Sequence, residues 1–249
     1  MSEKSETGDV EIPDPPNLAQ EPTIGNLPDG YMYRVTRYAD IILKEAFPRV
    51  YADLVDVLEN FRVDFRQDIV SAGGSKARHT ERFDASLHEK GWGKRNITIS
   101  KLIDDKVLHA TKGHEIDMFA AGGDEEVYPG VALEMEWNNK DPFFDRDLLN
   151  FMALHREGAI GIGVIVTRGP ELQRLMNRNV GTNAAGIPTK FGSSTTHWDK
   201  LMPRINLGGG GECPMLLIGI EPGRVDGVEE LYDAFQTGRV IRPRDYDKI

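Results

Sequence analysis

Between Val131 and Thr167 the chain runs from one short apolar stretch, through an amphipathic one, to a second apolar stretch, and this order restricts the folds open to it. Val131–Trp137 (VALEMEW) has the length and composition of a short buried strand. Asp145 is placed to cap a helix through about Glu157, with Leu148, Leu149 and Met152 as its apolar face. Ile160–Thr167 (IGIGVIVT) is a further buried strand. Strand, helix and strand in that order predict a crossover in one sheet. Glu115–Ala120 precedes this unit as a strand, across the glycine- and acid-rich loop Ala121–Gly130, and Met215–Ile220 follows as a last buried strand. Ile97–Ile103 and Val107–Ala110 fit a β-hairpin turning at Asp104-Asp105-Lys106. Apolar residues at three- and four-residue steps over Tyr38–Phe61 predict two helices parted at Pro48. Pro170–Asn179 and Thr196–Ile205 also have helical patterns, and Gly181–Ser194 is a long polar loop. The expectation is an α/β fold with a central sheet flanked by helices.

A length of 249 residues is ample for one hydrophobic core. Residues 1–30 are polar, proline-rich and acidic, and are expected to form a disordered tail ahead of a single domain over 31–249. No apolar run suits a membrane span and no signal-peptide pattern opens the chain, so a cytoplasmic protein is expected. The single Cys213 excludes an internal disulfide and a cysteine-based zinc site, and reads as a small buried apolar residue. The net charge of −10 taken alone speaks against a nucleic-acid partner. Its distribution does not: residues 1–30 account for −6, and Arg156–Arg204 carries a net of +4. Ser71–Arg82, basic apart from Glu81, reads as a surface loop able to touch phosphate. Gly208–Gly211 is a flexible turn rather than a phosphate loop, because no Lys-Ser/Thr follows and the next element is a strand.

The chemistry concentrates in three acids. Glu134 and Glu136, two apart, share a face of their strand about 7 Å apart at ~3.3 Å per residue, opposite Leu133, Met135 and Trp137. Like charges that close repel and burial raises the cost of each, so a bound cation would relieve both. Asp117, seventeen residues before Glu134, ends another apolar stretch and can supply a third oxygen. All-oxygen ligands suit Mg²⁺. Asp117 and Glu134 are the candidate metal ligands with the Met135 carbonyl, and Glu136 would orient or deprotonate a water or help hold a second ion. Spacing by itself leaves open a solvated acidic strand face.

At Asp117…Glu134-Met135-Glu136 the chain resembles the PD-(D/E)XK nucleases, in which an Asp and an acid-x-acid or acid-x-Lys pair sit on adjacent strands. Leu133–Asn139 (LEMEWNN), the helix from Asp145 and the strand ending in Val166-Thr167-Arg168-Gly169 are similar to the BglII/BamHI group of type II restriction endonucleases. So is Trp198–Ile220, with KLMPRINL, a glycine turn and CPMLLIGI. The resemblance implies a restriction-endonuclease-like fold and Mg²⁺-dependent hydrolysis of both strands of a short palindromic duplex site. It also implies a homodimer with the helices Asp145–Glu157 and Thr196–Ile205 between subunits, and a cognate DNA methyltransferase as a companion. Asp117 and Glu134 match the group's metal-binding acids, and Glu136 a position that is Glu or Gln within it. No Lys stands there, and Ile116 replaces the Pro before the Asp. Glu89 and Asn96 are the candidates for a fourth polar residue near the metal. Asn138, Asn139 and Lys140 match a DNA-contacting segment, and an Asn amide can pair bidentately with adenine. His114 is given no role, and His197 and Trp198 suit packing at a helix start. Two alternatives stand beside this one: a nuclease of the same fold without sequence choice, and a DNA-binding protein whose acids hold a structural cation.

Overall fold

The computed structural model describes residues 18–71, 77–110, 114–123, 127–181 and 190–242. Strand β1 (Tyr31–Thr36) leads into helices α1 (Ala39–Ala46) and α2 (Pro48–Asn60). A short β2 (Val63–Asp64), a π-helical turn over Phe65–Val70 and α3 (Arg78–Glu89) follow. Next come β3 (Gly93–Ile97), the separate hairpin of β4 (Ser100–Ile103) and β5 (Lys106–Ala110), then β6 (His114–Ala120) and β7 (Gly130–Glu136). Helix α4 (Phe143–Arg156) crosses to β8 (Ile160–Arg168), and α5 (Pro170–Asn179), α6 (Trp198–Asn206) and β9 (Met215–Ile220) complete the main layers. A short β10 (Val225–Asp226), parallel to β2, and α7 (Val228–Thr237) close the described chain.

The central sheet has the order β1-β9-β8-β7-β6-β3. Its inner strands β7, β8 and β9 are parallel, while β1, β6 and β3 pair antiparallel to their neighbours. The parallel trio is apolar on both faces because each face is covered by helices. On one face, odd-numbered residues of β7 (Val131, Leu133, Met135) pack with α1, α2, α3, α5 and α7. On the other, Ala132, Ile165 and Leu217 meet Phe144, Leu148, Phe151 and Leu154 of α4 and Trp198, Leu201 and Ile205 of α6. The expected mixed α/β sheet between helices is therefore present.

Local chemistry explains the boundaries. Pro48 stands at the first turn of α2, where its missing N–H is not needed, and the stripe Val50, Leu54, Val57, Leu58 is buried as the spacing requires. Helix α4 begins two residues before the expected cap: Pro142 is the N-cap, and Asp145 instead lies in the first turn, paired with Arg204 at 2.7 Å. Its buried stripe is Phe144, Asp147, Leu148, Phe151 and Leu154, so Leu149, expected in the apolar face, is 58 % exposed. The expected hairpin is divided. Residues up to Ile97 join the main sheet as β3, and β4 and β5 turn at Asp104 and Asp105, both with positive φ as a tight two-residue hairpin turn demands.

Part of the stretch expected to be a tail is packed. Ala19 is buried, Gln20 bridges Val35, and the Thr23 and Ile24 amides donate to the Asp40 carboxylate. The half of Ser71–Arg82 expected to be loop that is described is helical from Arg78, while 72–76 lie outside the described residues. Among the described residues no helix is long and apolar enough to cross a membrane.

The close seating of α4 depends on Gly163. A Cβ there would lie 2.4 Å from the Phe151 ring. Gly163→Ala is expected to destabilise the fold by about 1–3 kcal/mol through overpacking. A urea-unfolding midpoint equal to wild type would show that α4 has room to retreat.

Candidate active site

The sheet brings Asp117 and Glu134 face to face. Met118 pairs with Leu133 across β6 and β7, and one step beyond that ladder the Asp117 N–H donates to Glu134 Oε1 at 3.2 Å. Strand β6 departs from regular alternation at this point. Gly93 opposes Phe119 and Arg95 opposes Ile116, which leaves an extra residue in β6 between them. Consequently Ile116 and Met118, two apart, enter opposite cores. A bulge of this kind re-aims side chains, and here it falls at Asp117, which is exposed while the next three residues are buried.

Glu134 and Glu136 project from β7 toward the α4 side of the sheet and are 4 % and 3 % exposed. Helix α4 adds a carboxylate that was not among the expected site residues. Asp147, 1 % exposed, faces Glu136 from the second turn of the helix. Arg146 beside it donates to Asp147 Oδ1 at 2.8 Å through Nε and reaches Glu136 Oε1 at 3.4 Å through Nη2. Glu136 Oε2 accepts from Asn139 Nδ2 at 2.7 Å, and the Thr167 hydroxyl donates to the Glu136 carbonyl at 2.7 Å. Asp147 Oδ2 has no donor among the described residues unless Glu136 carries a proton, in which case the two carboxyls share a hydrogen bond.

The electrostatic consequence is large. Burial, reinforced by the charges of Asp117 and Asp147, pushes the Glu134 pKa up to about 9. Burial and then Asp147 push Glu136 up to about 8. Burial likewise raises Asp147. The positive end of α4 and the Arg146 guanidinium offset part of this charge, but one cation does not balance four carboxylates. The donor set is entirely hard oxygen, with one buried oxygen unfilled, and this fits a divalent cation. Asp117, Glu134 and the Met135 carbonyl remain the residues that would hold it. Among the described residues no group of three or more His, Cys, Asp or Glu side chains is arranged so that together they could hold a metal ion.

A cleft of about 620 Å³ opens onto Asp117 and Glu136 at the C-terminal end of β7, where open α/β sheets place their ligands. It is lined by Asp117, Met135, Glu136, Asn138, Asn139 and Arg146 together with Gln67, Ser71, Arg78, Thr80 and Lys190. The described part of the segment expected to touch phosphate therefore does face the site, although as the start of a helix. Lys140 is exposed next to the cleft and bridges Thr195. Asn138 turns its Oδ1 inward, buried and without a donor among the described residues.

Other expected residues fall elsewhere. Glu89 and Asn96 are exposed and are not among the residues that line the cleft, while Asp147 is a buried carboxylate beside Glu136. Its sequence signal was an acid on the buried stripe of a helix, between Phe144 and Phe151. His114 binds Asn150 of α4 at 2.8 Å and ties β6 to that helix. His197 holds the Thr195 carbonyl at 2.7 Å, and Trp198 packs on Gly219. Cys213 is buried, and burial pushes its thiol up to about 12.

The model of the restriction endonuclease BglII/BglIII family matches residues 31–220, from the start of β1 to the end of β9. No curated protein matches the chain.

The crowded acids predict a pH dependence of stability in metal-free protein. Glu134 and Glu136 have folded pKa values above the unfolded value of about 4.3. Their stabilising, protonated forms are fully present at acid pH and lost as pH rises toward 8 and 9. In EDTA the melting temperature is expected to fall between about pH 7 and 8, less steeply in Glu134→Gln. A divalent cation is expected to restore it. Equal slopes in the two proteins would contradict the buried-charge account.

Proposed function

The chain belongs to the restriction endonuclease BglII/BglIII family, and on that footing we propose that it is a Mg²⁺-dependent type II enzyme of the PD-(D/E)XK kind, hydrolysing one phosphodiester in each strand of a short palindromic DNA site. The observation that carries this reading is that Asp117 and Glu136 line a cleft together with Arg146, Arg78 and Lys190, with Glu134 and Asp147 buried beside those two acids. Acids that close suit a metal, and the cations around them suit a phosphate backbone.

Asp117, Glu134 and the Met135 carbonyl would hold Mg²⁺, which when bound lowers the pKa of a water and offsets charge developing on the scissile phosphate. Glu136 would orient or deprotonate the attacking water, or help hold a second ion. Its Oε2 is held by Asn139 and its Oε1 faces Arg146, so the carboxyl has a fixed direction. Arg146, half exposed and stacked on Phe143 at 4.7 Å, presents its remaining N–H groups to the cleft, where they can bind phosphate oxygens. Asn138, Asn139 and Lys140 follow the catalytic strand directly and would contact bases and backbone.

A homodimer would form through the α4/α6 layer, where Leu149 and Leu207 are exposed. A twofold pair would set two such sites against the two strands of a palindrome. Residues 31–249 would act as one domain, in the cytoplasm beside a DNA methyltransferase that protects the host's own sites.

Asp117→Ala and Glu134→Ala are expected to retain DNA binding in gel-shift assays while losing roughly 10²- to 10³-fold in cleavage rate. Normal cleavage by either variant would remove the site from these residues.

A further inference from the structure

A fully buried arginine stands behind the loop that follows β7. Arg168 ends β8, one residue beyond Thr167, which pairs with Glu136. Its side chain is wholly excluded from solvent, and among the described residues no carboxylate pairs with it. The guanidinium lies 4.9 Å from the Phe191 ring and 5.7 Å from Trp137, two residues that line the cleft. Nη2 donates to Thr195 Oγ1 at 2.6 Å and to the Thr196 carbonyl at 2.7 Å. Nε and Nη1 have no acceptor among the described residues.

Stability does not require a charge here. An apolar side chain of similar volume would fill the space between Trp137 and Phe191 without the cost of desolvating a cation. What an apolar side chain cannot do is hold Thr195 and Thr196. Those two residues are in turn joined to the loop after β7. The Thr196 N–H donates to the Asn139 carbonyl at 2.8 Å, and the Asn139 N–H donates to Thr196 Oγ1 at 3.1 Å. The Asp141 N–H donates to the Ser194 carbonyl at 3.1 Å, and Lys140 bridges Thr195 antiparallel. Asn139 then reaches Glu136 through Nδ2 at 2.7 Å. A continuous chain of hydrogen bonds therefore runs from Arg168 through Thr195-Thr196 and Asn139 to Glu136.

We propose that Arg168 is a positioning residue that couples base recognition to cleavage: without touching DNA, it fixes the Thr195–Thr196 segment that holds Asn139, and through Asn139 it sets Glu136. This rests on the nuclease reading given above. An Asn amide has two N–H groups and a carbonyl. With one N–H on Glu136, the other N–H and Oδ1 remain for the edge of an adenine. The correct base keeps the amide plane, and so Glu136, in place. A wrong base, or a slack loop, twists both.

The test compares wild type with Thr196→Val, Arg168→Met and Arg168→Lys. Thr196→Val keeps the shape of the side chain and removes one bond of the chain. Single-turnover cleavage is measured on the cognate duplex and on duplexes with one base pair changed, alongside metal-free DNA affinity and hydrogen exchange at Asn138–Asp141. Each variant is expected to exchange faster in that loop and to lose roughly tenfold or more in the cognate-to-altered cleavage ratio. Metal-free affinity is expected to stay near wild type, and Arg168→Lys, which keeps the charge without the fork, is not expected to rescue. Unchanged exchange and discrimination in Thr196→Val or in Arg168→Lys would overturn the proposal, and Arg168→Lys decides if Arg168→Met does not fold. If wild type cleaves no DNA with any metal, the nuclease reading fails. The exchange rates then still decide whether the threonine contact holds the loop.

Discussion

Repulsion among buried carboxylates is the constraint on which the rest of this structure depends. Glu134 and Glu136 share a face of β7, Asp147 meets them from α4, and Asp117 opposes them from β6. In a core chosen for stability alone these positions would be apolar, as Ala132 on the same face is. The fold keeps the acids at an end of the sheet, where the β6 bulge leaves Asp117 open to solvent and the N-terminal turns of α4 supply partial positive charge. The divalent cation proposed for the site would balance what remains. The cleft beside the acids is lined by Arg78, Arg146 and Lys190 as well as by Asp117 and Glu136.

The same arrangement links parts of the chain that are distant in sequence. The β7–α4–β8 crossover fixes Glu136 against Thr167 and sets Arg168 one residue further on, beneath the cleft floor. Arg168 reaches forward to Thr195 and Thr196, and they return to Asn139. Membership of the restriction endonuclease BglII/BglIII family gives this geometry its meaning, since a site-specific nuclease must make hydrolysis depend on the base it touches. A protein that only bound DNA would have no need of a buried carboxylate tied to an asparagine of the loop after β7.

The elements legible in the sequence were those whose burial is apolar and continuous. Val131–Trp137, Ile160–Thr167 and Met215–Ile220 lie between two helical layers, and their composition reports it. Helix α3 was not legible because its inward face is largely polar: His79, Thr80 and Asp84 are buried beside Phe83 and Leu87. Helix α7 buries only Leu231 and Ala234, too few to set a period. Strand β1 alternates Tyr31, Tyr33 and Val35, but it directly follows an acidic, proline-rich stretch that masks the pattern. At the site, Asp117, Glu134 and Glu136 were visible as acids in apolar strands. Asp147 was hidden because Asp145 offered itself as a helix cap, and the stripe through Phe144, Leu148 and Phe151 was needed to show which acid points inward. No sequence pattern marks the Arg168 contacts, since they join residues 27 and 28 positions apart through a loop.

The most direct test of the central claim is incubation of the purified protein with phage DNA, in Mg²⁺ and in EDTA, resolved on a gel. Discrete fragments in Mg²⁺ alone are the predicted result, and sequencing their ends gives the recognition site. A smear would retain the metal-dependent chemistry and contradict site selection. DNA left uncut with every divalent metal tried would contradict the hydrolytic role assigned to Asp117, Glu134 and Glu136.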